Sequence, residues 1–115
     1  MADMWIGGTA TAGAGQRLPV RNPASGETLE EVPAATREEV DAAVGAATEA
    51  LTTWRRTDTG ERAGHLRRLA DLAEAHADEL VALLTREQGK PTLEAQGELR
   101  HFLAGLRYYA EAATK

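Results

Sequence analysis

The spacing of apolar residues along this chain changes once, near Thr36. Beyond that point apolar residues recur at three- and four-residue steps, which places them on one face of a helix. Val40, Val44, Ala47, Leu51 and Trp54 form the first stripe. Thr36 and Glu39 precede it as a capping box, and Arg55 and Arg56 suit a helix C-terminus, so a helix is predicted over 36–56. Leu66, Leu69, Ala73, Ala77, Leu80 and Leu84 predict a second helix over 58–89, opened by Asp58 with Glu61 and stopped by Gly89. Ala95, Leu99, Phe102, Leu106, Tyr109 and Ala113 predict a third over 91–114, with Pro91 in its first turn, where a missing N–H is harmless.

Residues 1–35 lack that period and read as extended and turn-rich. Trp5-Ile6-Gly7-Gly8 predicts a short strand ending in a turn, with the low-complexity TATAGAG after it as a loop tip. Leu18-Pro19-Val20-Arg21 is extended, because proline fixes its own φ and biases its predecessor away from helix. Asn22-Pro23-Ala24-Ser25-Gly26 is a turn, and Thr28 to Val32 form a returning strand that Pro33 closes. The fold class is therefore α+β and mostly α: a short N-terminal β-hairpin followed by three amphipathic helices, in one unit of 115 residues.

Composition makes the core look thin. Aromatic residues are 4% of the chain and much of its apolar content is alanine, which removes little area from water per residue. A partner surface is expected on that ground. The net charge of -5, with acidic and basic residues interspersed, offers no basic patch for nucleic acid. No apolar run is long enough to span a membrane. The opening MADMWIGG lacks the parts of a signal peptide, so a cytoplasmic address is expected. Cysteine is absent, which removes a thiolate nucleophile and thiolate metal ligands from this chain.

The candidate chemistry is sparse. Gly8 and Gly13 have the spacing of a phosphate loop, but Ala14 and Gly15 stand where Lys and Ser or Thr must be. Gly13-Ala14-Gly15 begins a dinucleotide fingerprint, yet Leu18 fills the third glycine slot and no helix follows. No two of His65, His76 and His101 have the one-turn spacing of a helical zinc site. Ser25 sits in a turn with no nucleophile-elbow pattern. Lys90, between Gly89 and Pro91, reads first as a cation beside a helix C-terminus at a tight corner.

The order of several short pieces carries more information than any one of them. Trp5-Ile6-Gly7-Gly8, Asn22-Pro23-Ala24-Ser25-Gly26-Glu27, Val40-Asp41-Ala42-Ala43-Val44 with Trp54, Glu61-Arg62, Leu66 to Leu72, Glu87-Gln88-Gly89-Lys90-Pro91 and Leu106-Arg107-Tyr108-Tyr109-Ala110 follow one another along the chain. In order and spacing they resemble the N-terminal portion of the aldehyde dehydrogenase superfamily, over nearly the whole chain.

The resemblance implies a partial piece of the family's coenzyme-binding domain. Full-length members use NAD or NADP, a nucleophilic cysteine and a glutamate base, and are homo-oligomers. None of those reacting groups is expected here, so the chain alone should bind no coenzyme and be catalytically silent. Its expected partner is the rest of an aldehyde dehydrogenase fold or another subunit. By resemblance, Arg21 and Glu87 occupy positions whose backbone carbonyls help to form a monovalent cation site. Gly97 and His101 occupy positions on the wall of the substrate tunnel. The alternatives are a helical module that docks onto another chain, and a non-functional remnant.

Overall fold

The computed structural model describes residues 3–113 and 115. It contains two antiparallel strand pairs followed by four helices. The strands are β1 (Met4–Ile6), β2 (Thr9–Thr11), β3 (Arg17–Arg21) and β4 (Thr28–Pro33). The helices are α1 (Arg37–Trp54), α2 (Thr59–Ala75), α3 (Ala77–Gln88) and α4 (Thr92–Ala112). The chain divides into two units. The first runs to Asn22 and resumes over Gly26–Arg56; the second comprises Pro23–Ser25 and the residues from Thr57 onward.

In the first unit, β1 and β2 form a hairpin in register Trp5↔Ala10. Its two loop residues, Gly7 and Gly8, have φ of 59° and 81°, as a primed hairpin turn requires. The loop tip expected over TATAGAG is thus corrected in part, because Thr9-Ala10-Thr11 turns back as β2. The tight Gly-Gly turn leaves those β-competent threonines directly opposite β1. β3 and β4 pair as expected, with Leu18 opposite Val32 and a bulge at Val20/Arg21. Pro19 is tolerated because a two-stranded ribbon has only edge strands.

The Gly13-Ala14-Gly15 segment is packed against the β4–α1 connection. A Cβ on Gly13 would lie 2.6 Å from Pro33 Cγ, and one on Gly15 would lie 2.0 Å from the Ala34 carbonyl oxygen. The Ala34 N–H donates to the Gln16 carbonyl at 2.8 Å. The Thr36 capping box of α1 is formed, and Glu39 extends it. Its carboxylate accepts from Thr36 N at 2.7 Å and from Ala14 N at 2.9 Å, so one side chain ties the glycine segment to the helix start.

The second unit is helical. α2 opens on Asp58, whose Oδ1 accepts from Gly60 N at 2.7 Å. The single helix expected over 58–89 is corrected: it breaks at His76 (φ -105°, ψ 22°), which ends α2 and begins α3. Asp78 and Glu79 then lie in the first turn of α3, where negative charge is favoured, and Glu79 meets His76 Nδ1 at 3.2 Å.

α2 and α3 both pack on α4. The core is Ala70, Ala73 and Leu103, flanked by Leu99 and Leu106. Here the expected stripes hold at Ala73, Ala95, Leu99 and Leu106 but move by one residue elsewhere. Ala70 is fully buried while Leu69 is 46% exposed, and Leu103 is 7% exposed while Phe102 is 49% exposed. The seam pairs the alanines of α2 with the leucines of α4. That pairing lets the helices approach closely and leaves the bulkier aromatic rings on the flank.

Candidate functional site

The Gly-Lys-Pro corner brings charged and apolar groups together at the break between α3 and α4. Gly89 adopts the left-handed conformation (φ 67°), and its N–H donates to the Thr85 carbonyl at 2.9 Å, closing α3. Pro91 stands at the N-cap of α4, one step earlier than a first-turn position, and its carbonyl accepts from Glu94 N and Ala95 N. Lys90 does more than face a helix end. Its ammonium is bonded to the Glu98 carboxylate, bracing the corner against the second turn of α4. The Pro23-Ala24 turn covers the same corner: a Cβ on Gly89 would lie 2.8 Å from Pro23 Cγ and 3.1 Å from Ala24 N.

Between α3 and α4, beside this corner, runs a groove of about 300 Å³. Leu80, Leu83 and Leu84 line it from α3, and Leu99 and Phe102 from α4, with Glu87 and Glu98 as its acidic residues. Its lining is mostly apolar, without a nucleophile or a convergent set of donors.

The residues singled out in the sequence fall in different places. Arg21 ends β3 in the first unit, opposite Thr28 across the bulge, whereas Glu87 lies in the last turn of α3 in the second. Gly97 and His101 share one face of α4, four residues apart. The buried Ala95, Leu103 and Ala110, with the half-buried Leu99 and Leu106, occupy the opposite face, by helical periodicity. Leu93, Ala104 and Tyr108 continue the Gly97–His101 face, and all three are exposed. A Cβ on Gly97 would meet nothing nearer than Arg100 Nη2 at 3.7 Å, so its small size is not imposed by packing within the chain. His65 Nδ1 lies 2.8 Å from Arg68 Nη2, and His76 is engaged by Glu79. Among the described residues no three His, Cys, Asp or Glu side chains cluster to hold a metal ion. No helix there is long and apolar enough to cross a membrane.

The residues do not fit a nicotinamide coenzyme. The Gly13–Gly15 segment is packed against Pro33 and Ala34 and its Ala14 N–H is taken by Glu39, so it offers no open backbone cradle for a diphosphate. The groove and the Lys90–Glu98 bond were not legible as a site. A lysine beside a glycine stop signals a dipole contact, and only the fold brings Glu98 under it.

Comparison with known proteins adds what geometry cannot. The model of the aldehyde dehydrogenase family matches residues 10–115. The mitochondrial succinate-semialdehyde dehydrogenase of Arabidopsis thaliana is 43% identical over 98 residues, 85% of this chain and 19% of that protein. The NADP+-dependent succinate-semialdehyde dehydrogenase of Escherichia coli K12 is 41% identical over 97 residues, covering 84% of this chain and 20% of that one. A solved NAD-dependent benzaldehyde dehydrogenase from Corynebacterium glutamicum superimposes with a TM-score of 0.94 at 28% identity, over 98% of this chain and 25% of that chain. The chain thus spans about a fifth of these curated relatives' length.

Proposed function

The chain belongs to the aldehyde dehydrogenase family, and from that premise we propose that it is the N-terminal segment of an NAD(P)+-dependent enzyme that oxidises an aldehyde to a carboxylic acid. The substrate class is a semialdehyde, an aldehyde bearing a distal carboxylate, on the strength of 41–43% identity to two succinate-semialdehyde dehydrogenases. The observation that carries the reading is the continuous match of residues 10–115 to the family while the chain spans a fifth of those relatives.

The role of this segment is architectural. With no cysteine in the chain, a thiolate for attack on the aldehyde has to come from the remaining sequence, as does the coenzyme site. Gly97 and His101 form part of a substrate-tunnel wall. Their face of α4 is turned from the core and carries exposed Leu93 and Tyr108, which supports that assignment.

The test compares two proteins with succinate semialdehyde and NAD+ or NADP+. The 115-residue chain alone should show no turnover above a blank. The same chain, fused in place of the matching N-terminal segment of the E. coli relative, should restore coenzyme reduction. Turnover by the chain alone, or a folded but inactive fusion, overturns the reading.

A further inference from the structure

Helix α4 carries two arginines, Arg100 and Arg107, and the fold uses them differently. Arg107 clasps α4 to α2: its Nη2 donates to Glu74 Oε2 at 2.6 Å and lies 3.9 Å from Asp71 Oδ1. Arg100 has no such clasp. The residues one helical turn from it are Gln96, Gly97, Leu103 and Ala104, none of them acidic. The acidic residues of α4 are Glu94, Glu98 and Glu111, and Glu98 is bonded to Lys90. Among the described residues no carboxylate pairs with Arg100.

Its guanidinium is nonetheless placed. Nη2 lies back along the helix over Gly97, 3.7 Å from where a Cβ on that residue would stand. Any side chain at 97 would occupy the space beside the guanidinium, and glycine leaves it open. Helical periodicity puts Gly97, Arg100, His101 and Ala104 on the side of α4 turned from the buried Ala95, Leu103 and Ala110. Exposed Leu93 and Tyr108 flank them on that side. The face therefore combines apolar surface, a gap at a glycine, and one cation without an internal partner.

That combination matches the chemistry of a semialdehyde. The distal carboxylate of such a substrate loses its water on entering a protein site, and a hydrocarbon wall gives nothing in return. A guanidinium does: it is charged at any working pH, and its planar fork of N–H donors fits the two carboxylate oxygens. We propose that Arg100 is a specificity-determining residue, its guanidinium over Gly97 pairing with the distal carboxylate of the semialdehyde on the exposed face of α4. This rests on the functional reading above and adds to it the group on this segment that separates a carboxylate-bearing aldehyde from an uncharged one.

The fusion with the E. coli relative is assayed with succinate semialdehyde and with butanal, which has a methyl group where the semialdehyde has its carboxylate. Arg100→Gln should raise KM for succinate semialdehyde by about 10-fold or more, the size of a lost charge-assisted hydrogen bond. KM for butanal, and kcat for both, should stay within about 2-fold, as the loss of a ground-state contact remote from the reacting carbonyl requires. Arg100→Lys keeps the charge without the fork and should fall between the two. Butanal turnover shows that each variant is folded. An active fusion in which Arg100→Gln raises both KM values alike, or neither, overturns the proposal and leaves the enzyme reading standing. A folded fusion inactive with both aldehydes overturns that reading and this proposal with it. Should the long fusion not fold, α4 alone (Thr92–Ala112) is grafted into the same relative, and the same split between the two aldehydes decides.

Discussion

At Gly89 two demands meet on one residue. Its φ of 67° is strained for any side chain, and the space where a Cβ would go is occupied by Pro23 and Ala24. Gly89→Ala should therefore destabilise the second unit by about 1–3 kcal/mol, the range for non-glycine residues held in sparsely populated backbone regions. Urea unfolding monitored by helical circular dichroism checks this, and a change below about 0.5 kcal/mol would contradict it. Glu39 is the residue to test by pH. Hydrogen bonds from Thr36 N first, and then Ala14 N, hold its carboxyl below the ordinary value of 4.5. A group with a depressed folded pKa stabilises fully above its unfolded value and loses that contribution as pH falls through the folded one. The first unit should thus weaken as pH drops below about 4.5, and Glu39→Gln should weaken it at pH 7 while flattening that acid limb. Thermal melts from pH 7 to pH 3, followed through probes in the first unit, measure both effects. The capping box was legible because Thr-x-x-Glu ahead of an apolar stripe states its own geometry. The bond to Ala14 was not, because it joins residues 25 apart in sequence.

Among the helices, α1 is the one with least support. It has 18 residues and buries none of them, and its stripe residues Val40, Val44, Leu51 and Trp54 stay about half exposed or more. Helices of that length are marginal in water without a packed face, because nucleation is unfavourable and propensity is weak. Native-state hydrogen exchange on the isolated chain should find the amides of α1 exchanging faster than those in the middle of α2 and α4. Protection in α1 equal to that of α4 would contradict this.

The stripes placed helix over the right residues but ran α2 and α3 together, and they did not show which neighbouring position faced inward. Leu69 against Ala70 and Phe102 against Leu103 were decided by the partner helix, and a partner's surface is not written in one helix's own pattern. The His76 break left a faint trace, since Asp78-Glu79 is an N-terminal signature inside what otherwise reads as helix interior. The TATAGAG stretch failed as a pure loop because threonine's preference for strands outweighed the low complexity.

For the molecule as a whole, chemistry was less legible than family. The ordered fragments from Trp5 to Ala110 resembled the aldehyde dehydrogenases without displaying a reacting group, and the fold explains that pattern. Five of the seven buried hydrophobic residues among those described are alanine, so the motifs shape surfaces more than they fill a core.

The Pro23–Ser25 turn has a consequence for anyone who would divide the chain. Those three residues belong to the second unit, although they sit between β3 and β4 of the first. The polypeptide visits the helical part, leaves it, and returns at Thr57. No single scission separates the two parts cleanly: a protease nick or gene boundary after Arg56 strips Gly89 of its lid, and one after Ser25 tears a ribbon in half.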